Sequence, residues 1–162
     1  MKRVLILVAA IVLSLGIWKW QSRRSNWQIA MEKSPTITIY SLMPTLSTPA
    51  SQMKSVESLE YLARYPVLGK VSVSDEADKK KIIAGFRSAF SSGGDSASCF
   101  NPRHAISTAD NKTTVLICYE CGYAEIRDGG KNDLIEIGSG GQQAIEALWQ
   151  KYGLKSDTNL KP

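Results

Sequence analysis

The chain has 162 residues, 43% of them hydrophobic and 22% charged, with a formal net charge of +5. These values exclude a collagen-like chain, a low-complexity chain and a polytopic membrane protein, and the length fits one domain. Lys2, Arg3, Lys19, Arg23 and Arg24 lie in residues 1–26 with no acid beside them; removing these five from the 20 Lys and Arg leaves fifteen, which balance all 15 Asp and Glu in residues 27–162. A formally neutral body argues against nucleic acid as a partner, because a nucleic-acid binder gathers its basic residues on the folded domain.

Val4–Trp18 carries no charge and is flanked by Lys2-Arg3 and by Lys19. As a helix this run rises about 22 Å, short of a hydrocarbon core of roughly 30 Å, although Trp18 and Trp20 suit an interface and flanking Lys and Arg can snorkel. Two readings compete. Residues 1–20 form an uncleaved signal anchor, or a signal peptide cleaved near Gly16, where Ser14-Leu15-Gly16 supplies small residues. The anchor is the preferred expectation. A short basic N-terminus running directly into an apolar stretch is the usual export arrangement, so the chain is expected to pass once through a bacterial inner membrane through residues 4–18, with its C-terminal domain in the periplasm. The alternative is secretion to the periplasm after cleavage.

Residues 21–34 are polar with a basic start and read as a juxtamembrane linker, with Arg23 and Arg24 near anionic headgroups or solvated. A single domain is expected over residues 35–154, followed by a polar tail over 155–162. Thr36–Leu42 alternates as a strand does. Pro44 and Pro49 then interrupt regular structure. Ser55–Arg64 reads as a short helix, with Val56, Leu59, Leu62 and Ala63 on one face and Pro66 as its stop. Val67–Val73 is a strand. Ser74 is expected to cap a second helix whose buried stripe is Ile82, Ile83, Phe86 and Phe90; Lys79–Lys81 are placed on its wet side, and Gly93-Gly94 ends it.

Strand signals follow at Ala105–Thr108, Thr113–Glu120, Gly122–Arg127 and Leu134–Ile137, with turns at Ala109–Lys112 and Asp128–Asn132. A last helix buries Ala144, Ile145, Leu148, Trp149 and Tyr152, and Gly153 closes it. The expected fold class is α+β: an antiparallel sheet of five to six strands packed by two or three helices, preceded by one N-terminal hydrophobic helix.

The chemically interesting residues are the three cysteines and the single histidine, Cys99, His104, Cys118 and Cys121. A Cys3His zinc site has suitable ligand types and number, so zinc is the alternative to no cofactor. It requires a turn or bulge near Glu120–Gly122, since Cys118 and Cys121 on an unbroken strand point to opposite faces. A disulfide is the expected state in an oxidising compartment. On a straight strand Cys118 and Cys121 lie about 10 Å apart, beyond disulfide reach, which would leave Cys99 to pair with one of them. A thiol enzyme is the third reading, with Cys99 or Cys118 beside His104, although nothing marks an oxyanion hole or an orienting carboxylate, so no catalytic residue is assigned. His104 itself is expected to be hydrogen-bonded near the sheet edge. Arg103 is expected to pair with Glu120, with an anion or partner contact as the weaker option. Gly138-Ser139-Gly140-Gly141 lacks the lysine of a phosphate loop and reads as a flexible lead into a helix.

The segments Tyr65–Lys70 (YPVLGK), Cys99–Ile106 (CFNPRHAI) and Ile117–Cys121 (ICYEC) together resemble a set of uncharacterised bacterial proteins, many exported or anchored. Those proteins carry the same strand, a CF-x-PRH-G-I segment and a strand ending ICFEC. Ala105 and Tyr119 are mild departures from that pattern. The resemblance implies one domain over roughly residues 40–150 and a grouping of the four Cys and His residues, and it implies no reaction. The reading reached is a membrane-anchored envelope protein, a non-enzymatic binding or structural domain stabilised by a disulfide, with an envelope protein as its partner. A zinc-binding domain and a thiol-dependent enzyme are the alternatives.

Overall fold

A computed structural model of the chain describes residues 26–43, 60–91 and 99–154. Helix α1 spans Asn26–Lys33, α2 spans Glu76–Ser91 and α3 spans Gln142–Lys151. The strands are β1 (Ile37–Leu42), β2 (Tyr61–Leu62), β3 (Tyr65–Val73), β4 (His104–Thr108), β5 (Thr113–Cys118), β6 (Tyr123–Asp128) and β7 (Lys131–Glu136). They form one seven-stranded sheet in the order β2-β3-β1-β4-β5-β6-β7. Every pairing is antiparallel. The α+β class holds, and the sheet has more strands than the sequence predicts.

Strand alternation divides the apolar side chains between the two faces of the sheet. Ile37, Ile39, Ile106, Val115, Ile117 and Ala124 face the helices and join Ile82, Phe86, Ile145 and Trp149 in the main core. Tyr40, Leu42, Ala105 and Leu116 face the other way, toward Tyr65 and Val67. Such burial on both faces explains the apolar density of β4 and β5, whose residues are all buried. Each fully buried aliphatic side chain contributes roughly 1.5–3 kcal/mol.

Helix α2 starts because the Asp75 carboxylate accepts the Asp78 amide at 2.8 Å, so Asp75 rather than Ser74 is the cap. The expected stripe is buried at Ile82, Ile83 and Phe86. Lys79 corrects the wet-side expectation for the lysine run: it is 2% exposed, and its Nζ donates to the Ser34 carbonyl at 2.6 Å and to Glu76 at 2.9 Å. A buried ammonium needs such partners. Ser34 also donates its hydroxyl to Thr36 O and accepts the Ala109 amide. That one residue thus joins α1, β1, the β4–β5 turn and α2.

Three further expectations change. The stretch read as a linker contains α1, whose Trp27 and Met31 are buried, with Trp27 against Phe90 at 5.5 Å between ring centroids. The end of the helix expected over Ser55–Arg64 is instead a tight hairpin. Tyr61 pairs with Pro66 and Leu62 with Tyr65, and the reversal is made by Ala63 in the left-handed region. Residues 51–59 lie outside the described residues, as do Val4–Trp18, Gly93-Gly94 and the tail from 155. In α3, Ala144 is exposed while Ile145, Leu148 and Trp149 are buried. No helix among the described residues is long and apolar enough to cross a membrane.

The glycine-rich lead into α3 has a packing reason. A Cβ on Gly141, which has φ 79°, would lie 2.2 Å from the Gly85 carbonyl oxygen. Only glycine lets the two backbones approach so closely at that φ. The start of α3 is thereby held on α2, and Lys151 and the Tyr152 hydroxyl both donate to Asp78 at the other end of α3. These hydrogen bonds, Lys151 first and then Tyr152, hold the Asp78 carboxyl below its ordinary pKa.

Candidate functional site

The site forms where β4 and β5 end side by side and the β5–β6 turn begins. Register places His104 opposite Ile117, so Arg103, His104 and Cys118 gather at one end of the sheet. Strand β5 stops at Cys118. Residues 119–122 turn, with Gly122 at φ 68° and its amide donating to Tyr119 O at 3.3 Å. The turn brings the Cα atoms of Cys118 and Cys121 to 5.3 Å, within disulfide range, and the two sulfurs are joined. This corrects the pairing expected from a straight strand. The distance argument fails because the strand does not continue through Glu120.

Cys99 remains a thiol, partly exposed. Its Sγ lies 2.7 Å from Cys121 Sγ. All three cysteines therefore meet, as the sequence grouping implies, with Cys121 in the middle. The Cys121 amide donates to Cys118 Sγ at 3.2 Å.

His104 is 3% exposed and sits on β4, fourth of the seven strands, so it is not an edge residue. Its ring makes edge contacts with Trp149 (5.3 Å) and Tyr119 (6.3 Å). Trp149 is fixed in turn by its Nε1, which donates to the Tyr40 carbonyl at 2.9 Å. Burial, and then the nearby Arg103 charge, push the His104 pKa down to about 4, so the imidazole is neutral at pH 7. His104 Nε2 is buried without a hydrogen-bond partner among the described residues. Asn101 Oδ1 and the Tyr119 hydroxyl share that condition.

These three orphaned atoms belong to residues lining one small cavity of about 30 Å³, together with Arg103, Cys118 and Glu120. Gln142 and Glu146 of α3 complete the lining. Arg103 is paired with Glu120, Nη2 to Oε1 at 2.8 Å, as the sequence suggests. Burial, and next the Glu146 charge, raise the Tyr119 pKa above its ordinary value, so its hydroxyl keeps its proton. The cavity is thus walled by neutral hydrogen-bonding groups together with one cation, Arg103, two carboxylates, Glu120 and Glu146, and Cys118.

A zinc ion would need Cys99, Cys118 and Cys121 as thiolates beside His104. With Cys118 and Cys121 bonded to each other, Cys99 alone can supply one. Among the described residues no group of three or more His, Cys, Asp or Glu side chains is arranged to hold a metal. Sequence reasoning missed Asn101 and Tyr119 as site residues. The only signal for them was their position beside the grouped cysteines and histidine.

Neither a protein-family model, nor a curated protein, nor a solved structure matches this chain significantly.

Proposed function

We propose that the protein is a thiol–disulfide redox domain, held at the cell envelope by residues 4–18, in which Cys118–Cys121 is a reversible disulfide and Cys99 is the thiol that exchanges with it. The observation that carries this is the 2.7 Å contact between Cys99 Sγ and Cys121 Sγ beside the Cys118–Cys121 bond. In the exchange the Cys99 thiolate attacks Cys121 Sγ, a Cys99–Cys121 bond forms, and Cys118 departs as a thiolate. The oxidising equivalent moves from a buried pair to a partly exposed residue, where an external dithiol can collect it.

Loop length supports reversibility over a purely structural role. A bond closing the four-residue loop 118–121 restricts the unfolded chain by only about 2 kcal/mol, against about 3.4 kcal/mol for the 23-residue loop 99–121. A disulfide placed for stability would use the longer loop. The expected binding role toward an envelope partner becomes, in this reading, contact with a dithiol protein that reduces or oxidises the site.

The test is thiol alkylation and peptide mapping by mass spectrometry on the full chain, across a series of glutathione redox buffers. The reading expects a disulfide that opens and closes reversibly in the folded protein, with Cys99–Cys121 found alongside Cys118–Cys121. A Cys99→Ser variant should lose the first species only. Three thiols protected by stoichiometric zinc would replace this reading with the metal site of Cys99, His104, Cys118 and Cys121. A disulfide that opens only on unfolding would return it to a structural role.

A further inference from the structure

We infer that β7 is a self-pairing edge: two copies of this chain join their β7 strands antiparallel about a two-fold axis at Leu134. This pairing uses none of the residues of the redox site. Strand β7 ends the sheet on one side, and among the described residues no strand pairs with its outer edge. All six of its residues are exposed, Leu134 to 58% and Ile135 to 38%. Alternation sets those two side chains on opposite faces, so neither face of the edge is covered. The other end of the sheet is built differently. There β2 has only two residues, the β1–β3 register shifts between Ser41 and Leu42, and Lys70 is exposed on β3. Short strands, bulges and lysines keep sheet edges from pairing. Strand β7 runs against β6 in unbroken register and contains no proline, which leaves its edge a template for another strand.

Backbone parity fixes which groups face outward. The two-residue turn Gly129-Gly130 makes Asp128 and Lys131 a hydrogen-bonded pair, and beyond the other end of β7 the Ile137 amide donates to Gly122 O at 2.8 Å. Lys131, Asp133 and Ile135 therefore direct their N–H and C=O groups to β6, while Asn132 and Leu134 direct theirs away from it. Outward groups pair only with outward groups, so the numbers of two facing residues must add to an even sum.

Charge then chooses the register and the occupant. Only two such registers pair more than half of the strand. In one, Asp133 faces Asp133 of the second copy, and two carboxylates stand together. In the other, Leu134 faces Leu134 of the second copy, Asn132 faces Glu136 and Asp133 faces Ile135, so no like charges are opposed. The strand is thus complementary to itself in one register, and its most exposed apolar side chain lands on its own copy. The two-fold contact closes on itself, and the blunted far edge stops further addition, so pairing ends at two copies. So short an edge buries less than the roughly 1,200 Å² of a stable interface, and a Kd on the order of 10–100 μM follows.

The experiment is sedimentation equilibrium of the full chain in density-matched detergent, from about 5 μM to about 500 μM, a range that brackets this Kd. The natural chain should form a reversible dimer. Leu134→Pro removes an outward amide and no bond to β6, as proline does on an edge strand, and should weaken the dimer at least about tenfold. Leu134→Lys alters only an exposed side chain and sets two ammonium groups on the axis, so it carries the same test if the proline variant does not fold. Hydrogen exchange reads the register: the Leu134 amide should slow as protein concentration rises, while the Ile135 amide, already bonded to β6, should not change. A chain that stays monomeric over the range overturns the inference and leaves the edge to a different occupant. A dimer that survives Leu134→Lys, held by residues 4–18 or by another surface, overturns it as well, and so does a Leu134 amide indifferent to concentration.

Discussion

Two halves of one interface, both beneath α3, follow opposite rules. Around Phe86, Ile82 and Ile145 the helix–sheet layer is apolar, fully buried and closed, with Phe86 and Trp149 rings 6.1 Å apart. Across the same Trp149, at the end of β4, the layer holds His104, Tyr119, Asn101 and three sulfurs, and several buried polar atoms lack a partner. An unpartnered buried polar atom costs roughly 1–3 kcal/mol. The first half secures the fold, and the second half carries an expense that the first offsets. Trp149 is the wall between them.

Breaking the wall should therefore have the largest effect. Trp149→Ala removes a fully buried ring and its hydrogen bond to Tyr40. A loss of about 3–5 kcal/mol in urea unfolding is expected, with the site disordered as well. A smaller loss would mean that the two halves are less dependent on one another than their shared indole suggests.

Acid should separate the halves next. The folded His104 pKa is near 4 against an ordinary 6.5, so the unfolded chain binds the extra proton between those values. Stability from the neutral imidazole is then fully present above about pH 6.5 and lost as pH falls toward 4, about 3 kcal/mol in all. Carboxylates such as Asp78, whose folded pKa is lowered, contribute stability that goes at lower pH, below their ordinary value of 3.8. Urea midpoints at pH 7 and pH 4.5 measure the first window alone. A His104→Leu variant should flatten it.

Reduction of the disulfide is expected to lower stability by about 2 kcal/mol, the share of a four-residue loop. Urea unfolding with and without dithiothreitol reads it directly. A drop well beyond that would give the sulfur cluster the same role as the apolar half. Far from both halves, Lys112 pairs with Asp110 at 3.2 Å with both side chains largely exposed. Lys112→Ala should leave the unfolding midpoint unmoved, because such surface pairs contribute little.

Most of the sheet was legible in the sequence because alternation and turn chemistry are local. β1, β4, β5 and β6 lie within a residue or two of their expected places, and the turn at Gly129-Gly130 joins β6 to β7 through two glycines at positive φ. What escaped depends on contacts distant in sequence. The polar stretch Asn26–Lys33 becomes a helix with a buried Trp27 only because α2 and the sheet receive it. Lys79 looks like its two neighbours, and its buried ammonium is received by the Ser34 carbonyl, 45 residues earlier, as well as by Glu76. The site divides the same way. The three cysteines meet in the structure, and Gly122 marks the turn that their pairing needs. The partner within the disulfide was misjudged because an extended backbone was assumed through Glu120. The cavity could not be read at all, since it requires Gln142 and Glu146 of α3 to meet the β4 and β5 residues that line it.

The bonds at Ser34 also define where the folding unit starts. A fragment beginning at residue 35 would lose Trp27 and Met31 from the core, the carbonyl that receives Lys79, and the hydroxyl that receives the Ala109 amide. It would keep every strand and leave the buried Lys79 ammonium with Glu76 but without the Ser34 carbonyl. The smallest autonomous piece of this chain therefore reaches back at least to Asn26, and α1 belongs to the domain as one of its walls.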